Sequence, residues 1–261
     1  MSTTSLPALF IGHGSPMNTL EINRYTESWR NLAASLPHPK AILMISAHWY
    51  TNATAVTAMS RPRTIHDFSG FPDELSAVQY PAPGSPELAQ RVVELLAPTS
   101  VALDRDQWGL DHGAWSVLAH MYPDAEIPVV QLSINANATF DDHTQLGARL
   151  APLLNEGILI IASGNVVHNL GRIQWGTDGQ GFDWADSFDV EVRETMRNRP
   201  SDIASLAKHE AFPLAVPSPD HFLPLAYIAG IAAETHAHVS VFNDERTMGS
   251  LSMTSYIAQP A

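Results

Sequence analysis

The sequence contains no cysteine. No disulfide framework can staple the fold, and no thiolate can act as nucleophile or metal ligand. Positive charge is also scarce. Lys and Arg total 14 against 27 Asp and Glu, a formal charge of −13 over 261 residues. A phosphate-backbone binder needs a field of Lys and Arg, and so does a protein that docks on an anionic membrane; neither partner is expected. No apolar run approaches the ~20 residues of a membrane span. Met1–Pro7 has neither the basic start nor the apolar stretch of a secretory leader, so the expectation is a cytoplasmic protein. There is no GxSxG elbow, no Walker loop, no HExxH and no GxGxxG after a strand; Gly12-x-Gly14 lacks the third glycine.

What is present is a globular composition, 45% hydrophobic and 16% charged. No repeat, low-complexity tract or linker breaks the chain, so residues 1–261 read as a single catalytic domain. Short, nearly continuous apolar runs fall at Ala8–Ile11, Ala41–Ser46, Ile127–Ile134, Ile158–Ala162 and Val239–Phe242. Such runs suit strands covered on both faces. Helix-period segments lie between them. Ile22, Tyr25, Trp29, Leu32 and Leu36 form one stripe, with Asn18 and Glu21 expected as its capping box. Ser85-Pro86-Glu87 opens a second helix that Pro98 ends. Gln145–Leu154 reads as a third, and Trp184, Phe188, Val192 and Met196 mark a fourth. The alternation predicts an α/β fold with a mainly parallel central sheet and helices on both faces. Thr51–Ser60 and Gly249–Ile257 are expected as antiparallel additions at an edge.

Histidine is the abundant chemical group, with 12 copies. His13, His48 and His168 each follow the C-terminal end of a predicted strand. In an open α/β sheet, ligands bind at that edge. Three imidazoles there can reach one point, as metal ligands or as catalytic groups. Glycines flank His13, and Ser163-Gly164-Asn165 lets the chain turn before His168. His112 and His221 each sit at a predicted helix start, with Asp111 as the cap before His112. His66 is a weaker pocket candidate. His38, His120, His143, His209, His236 and His238 read as polar or surface residues. Ser15 beside His13 suggests a nucleophile and base, but no acid stands behind that histidine in the sequence.

Several segments together resemble the class III extradiol ring-cleavage dioxygenases, in particular the 4,5-DOPA extradiol dioxygenase-like subgroup. They are PALFIGHGSPMN (7–18), ISAHWY (45–50), TIHDFSGFP (64–72), YPAPGSPELA (80–89), WGLDHGAW (108–115), ASGNVVHNL (162–170), PDHFLPL (219–225) and MGSLSM (248–253). The resemblance implies a metal site at the C-terminal edge of the strands. It implies His13, His48 and His221 as ligands of one divalent ion. His168 is implied as the catalytic acid and base and as a further metal-reaching residue, and His112 as a catalytic histidine lining the substrate pocket. Ser15, His66 and Tyr80 are expected to contact substrate. Trp49, Phe68, Phe71 and Trp115 read as packing residues rather than pocket wall. The implied reaction opens a small catechol with O2 to a semialdehyde, in a monomer or small homo-oligomer. Better-known relatives hold Fe(II) with two His and one carboxylate. Here the third ligand reads as His221, and an all-imidazole set suits Zn(II) as well as Fe(II). The rival readings are a zinc hydrolase and a metal-binding interaction protein without turnover.

Overall fold

Eight strands hydrogen-bond into one sheet in the order β4-β3-β5-β2-β6-β1-β10-β7. The strands are β1 (Ala8–Gly12), β2 (Ala41–Thr51), β3 (Ala55–Thr57), β4 (Ala102–Asp104), β5 (Val129–Asn135), β6 (Ile158–Gly164), β7 (His238–Phe242) and β10 (Ser255–Gln259). Between the last two, β8 (Arg246–Thr247) and β9 (Leu251–Ser252) pair as a small antiparallel ribbon. The computed structural model describes residues 5–177 and 179–261. The start of the stretch read as lacking a leader lies outside them.

The central four strands, β5-β2-β6-β1, run parallel. Their alternate residues divide between two cores. Phe10, Leu43, Ile45, Val130, Leu132 and Ile160 face one core; Leu9, Ile11, Ile42, Met44, Val129 and Ile161 face the other. Helices cover both. Pro86–Leu96, Phe140–Leu150, Asp183–Asn198 and Leu223–Glu234 pack on the first side, and Arg24–Ser35 and His112–Met121 on the second. The unbroken apolar runs follow from this: a strand covered on both faces has no solvent side on which to alternate. The fold class is thus the predicted α/β arrangement, and no helix among the described residues is long and apolar enough to cross a membrane.

Several local expectations are corrected. The first helix starts at Arg24, capped by Asn23 and Thr26 and not by Asn18 and Glu21. Asn18 is diverted: its amide donates to the His13 carbonyl (2.9 Å), and its own carbonyl accepts from Asn23 (2.8 Å). The helix expected at Gln145 begins at Phe140, because Thr139 and Asp142 cap each other reciprocally. β3 and β10 do pair antiparallel with neighbours, but β4 and β7 lie outside them, so neither is the outermost strand.

Candidate metal centre

Five histidines from five separate segments meet at the C-terminal edge of the parallel strands. His13 directly follows β1, and its N–H donates to the Gly164 carbonyl (3.1 Å) at the end of β6. His48 lies within β2, where the register with β5 shifts between Ile45 and Tyr50. Such an irregularity re-aims a side chain that a regular strand would send into the layer. His112 is the first residue of its helix, placed by Asp111, whose side chain accepts from Ala114 N. His168 follows β6; its N–H donates to the Ala215 carbonyl (2.9 Å). His221 is drawn in by Asn165, whose N–H donates to the His221 carbonyl (2.9 Å). Gly164 permits that approach, because a Cβ there would run into the same carbonyl oxygen.

His13, His48 and His112 each offer a ring nitrogen within 4.8 Å of the other two. The His221 ring lies 5.3 Å from His13 and 5.0 Å from His48, centroid to centroid. His168 stacks flat on His221 at 3.6 Å, with 2° between the planes. His112 and His221 thus border the His13–His48 pair from two sides: His112 is the nearer to His48 (3.8 Å between centroids) and His221 the nearer to His13, from which His112 stands 6.0 Å away.

The hydrogen bonds behind these rings decide which nitrogens carry protons. Ser163 Oγ donates its only proton to the Gly113 carbonyl (2.6 Å), so it must accept from His13 Nδ1 (2.8 Å). His48 Nδ1 lies 3.1 Å from Asp67 Oδ2, and His112 Nδ1 lies 3.0 Å from the same oxygen. His221 Nδ1 donates to Asp220. In neutral His13, His48 and His221 these partners favour the proton on Nδ1, which leaves Nε2 with a bare lone pair; His112 Nδ1 is near Asp67 but makes no hydrogen bond with it. His13 Nε2 and His48 Nε2 face each other at 3.3 Å. Two lone pairs that close repel unless a cation lies with them, either a proton on one ring or a metal ion. The donor set therefore fits a metal: neutral imidazoles, each oriented from behind by a carboxylate or hydroxyl. His168 differs, since its ring nitrogens have no hydrogen-bond partner among the described residues.

The electrostatics follow the same geometry. Burial and the neighbouring imidazoles hold His13 well below the usual histidine range. Burial also depresses His112 and His221, outweighing their carboxylate partners. Burial, then the adjacent His221, pushes His168 down to about 2. Burial pulls His48 down as well, but the Asp67 hydrogen bond and the charges of Asp111, Asp67 and Asp220 leave it raised. Burial opposes ionisation of Asp67 and Asp220, yet their imidazole partners hold both below the usual carboxylate range.

A cavity of about 1050 Å³ opens from these rings toward solvent. Ser15 lines it, though its hydroxyl accepts from Met17 N (3.2 Å) and caps the short turn Pro16–Thr19. Phe68 and Phe71 line it too, contrary to their reading as packing residues, whereas Trp49 and Trp115 are buried in the body as expected. Two expected substrate contacts do not reach the wall. Tyr80 is buried and donates its hydroxyl to the Tyr122 carbonyl (2.9 Å). His66 donates through Nε2 to the Val78 carbonyl (2.8 Å) and packs beside Trp115. His120 and His143, read as polar or surface residues, are buried; His120 meets the Asn18 carbonyl (2.7 Å) and His143 the Tyr227 hydroxyl (3.0 Å).

Residues 7–256 match the family described as the catalytic LigB subunit of aromatic ring-opening dioxygenase, and the chain belongs to that family. Among its relatives is a 4,5-DOPA dioxygenase extradiol of Escherichia coli K12, 51% identical over 259 residues, covering 98% of this chain and 95% of that protein. A 4,5-DOPA dioxygenase extradiol of Beta vulgaris is 40% identical, covering 95% and 94%. A crystal structure of an uncharacterized protein from Escherichia coli K12 superposes with a TM-score of 0.85 at 46% identity, covering 97% of this chain and 99% of that one.

Proposed function

We propose that this chain is a metal-dependent extradiol dioxygenase that opens a DOPA-like catechol with O2 to give a semialdehyde. The observation that carries the reading is the division among the histidines. Three rings are clamped at Nδ1 by Ser163, Asp67 and Asp220, and a fourth, His168, is unclamped beside them. His13, His48 and His221 hold one divalent ion, and the proximity of His168 to His221 gives it a reach to the same centre. The bound ion supplies Lewis acidity toward the catechol oxygens and, as Fe(II), the redox chemistry that O2 requires. Zn(II) also fits an all-imidazole set, so a purified sample can carry it.

The residues then have separate tasks. His168 Nε2 or Nδ1 takes the proton of a catechol hydroxyl, since neither nitrogen is committed to a neighbour. It returns that proton as the ring opens. A neutral imidazole is the required starting form. His112, held by Asp67 at its backbone N–H (2.9 Å) with the same carboxylate 3.0 Å from its ring, orients the substrate ring. Phe68 and Phe71 shield that face from water. The carbon–carbon bond beside the diol breaks and both oxygen atoms of O2 enter the product, so no external reductant is consumed.

The test is anaerobic reconstitution with Fe(II), followed by oxygen uptake with a catechol panel and mass analysis after 18O2. The expected result is one O2 consumed per semialdehyde, with two labelled atoms incorporated before the aldehyde exchanges with water. Metal-loaded protein that consumes no oxygen with any catechol, yet hydrolyses esters with zinc, would replace this reading with the hydrolase.

A further inference from the structure

We infer that Asp111 is the buried counter-charge of the metal centre, supplying to the bound divalent ion the negative charge that its imidazole ligands lack. The inference rests on the reading that His13, His48 and His221 hold that ion. Neutral imidazoles leave both charges of the ion unanswered within its ligand set. Asp67 and Asp220 stand behind the rings, but each keeps contact with solvent, with 17% and 21% of its side chain exposed. Asp111 is fully buried. Water screens the first two carboxylates far more than the third.

The groups that hold Asp111 are neutral. Its Oδ1 accepts from Ser46 Oγ (2.6 Å) and Ala114 N (3.1 Å), and its Oδ2 accepts from Gln131 Nε2. The Gln131 amide is fixed in that orientation, because its Oε1 accepts from Asp111 N (3.4 Å). Ser46 on β2 and Gln131 on β5 are themselves fully buried. Ser46 Oγ has no other acceptor among the described residues, so the pocket is built for a carboxylate and not for a carboxylic acid. No Lys, Arg or His forms an ion pair with that carboxylate among the described residues. A charge taken out of water needs a cation to offset it. The helix that Asp111 caps offers only a partial positive charge. Capping does not require the charge either, since Asn and Ser cap as well as Asp does.

The carboxylate also stands at the right ring. Ser46 Oγ, His48 Cδ2 and Asp111 Oδ1 all lie within 3.3 Å of the point where a Gly113 side chain would begin, so only glycine permits their convergence. Cδ2 is bonded to Nε2. Asp111 thus stands on the Nε2 side of His48, while Asp67 holds Nδ1. After burial, which pulls His48 down, and the Asp67 hydrogen bond, the Asp111 charge is the strongest influence on that ring, ahead of the charges of Asp67 and Asp220.

The test is anaerobic competition for Zn(II) and for Cu(I) between full-length protein stripped of metal and a chromophoric chelator. Asp111→Asn and Asp111→Ser both keep a capping oxygen and remove the charge. Attraction to a fixed charge is proportional to the charge of the ion, so losing the carboxylate costs a monovalent ion half the free energy that it costs a divalent one. Zn(II) Kd is expected to rise about 10–100-fold in both variants, and Cu(I) Kd about 3–10-fold. A displaced His48 ring would instead weaken both ions alike. Equal losses for the two ions, unchanged Zn(II) affinity, or failure of both variants to fold would overturn the counter-charge and leave Asp111 a helix cap. No Zn(II) binding by the unsubstituted protein would remove the metal reading itself, and the counter-charge with it.

Discussion

His168 and His221 lie flat against each other, 3.6 Å apart with 2° between their planes, yet only His221 is held from behind by a carboxylate. Two stacked rings of identical chemistry are thus placed for different work. A ring fixed at Nδ1 is a ligand with a set lone pair. A ring with both nitrogens free can gain and lose a proton.

His168→Gln is therefore expected to lower turnover by about 10²–10⁴-fold while most bound metal is retained. His221→Ala, by contrast, is expected to lower bound metal itself. Elemental analysis beside oxygen-uptake kinetics checks both. Equal metal loss in the two variants would assign His168 to the ion and not to proton transfer.

Asp67 serves two rings with one oxygen, 3.1 Å from His48 Nδ1 and 3.0 Å from His112 Nδ1. Asp67→Ala releases both rings and is expected to weaken metal binding about 10–100-fold. Competition against a chromophoric chelator measures it. Unchanged affinity would show that His48 keeps its orientation through the β2 backbone alone.

Gly164 is where the end of β6 passes the His221 carbonyl. Gly164→Ala is expected to cost about 1–3 kcal/mol, the usual range for overpacking, and to displace His221. Urea denaturation reads the stability and metal content reads the displacement. A variant of wild-type stability with full metal would mean that the His221 segment yields freely.

A pH effect is expected at a histidine outside the metal centre. His143 is buried against Tyr227, and burial pushes it down from 6.5 to about 4. The unfolded chain takes up this proton near 6.5 and the folded chain only near 4. Stability therefore falls as pH drops through that window, and the loss is complete below it. The size is up to about 3 kcal/mol. Urea midpoints between pH 7 and pH 4 should fall less steeply in His143→Gln; parallel curves for the two proteins would contradict the assignment.

Much of this architecture is legible in the sequence because a doubly covered strand writes an unbroken apolar run. Ile158–Ala162 and Ala41–Ser46 are such runs, and a histidine follows each core. Short edge strands do not write that pattern: β4 has three residues, with Ala102 exposed. The carboxylates behind the rings are illegible for another reason. Asp67 lies 19 residues from His48 and 45 from His112, as their numbers show, and only tertiary folding makes it their shared partner. Asp220 beside His221 was open to notice as an adjacent acid–imidazole pair. The buried pairs of His120 and His143 depend on helix contacts that local polarity does not reveal.

The most direct measurement is an anomalous-scattering map from crystals of Fe(II)- or Zn(II)-loaded protein. One strong peak is expected among the Nε2 atoms of His13, His48 and His221, with the His168 ring beside it. A peak elsewhere, or none at these rings in protein that carries stoichiometric metal, would contradict it.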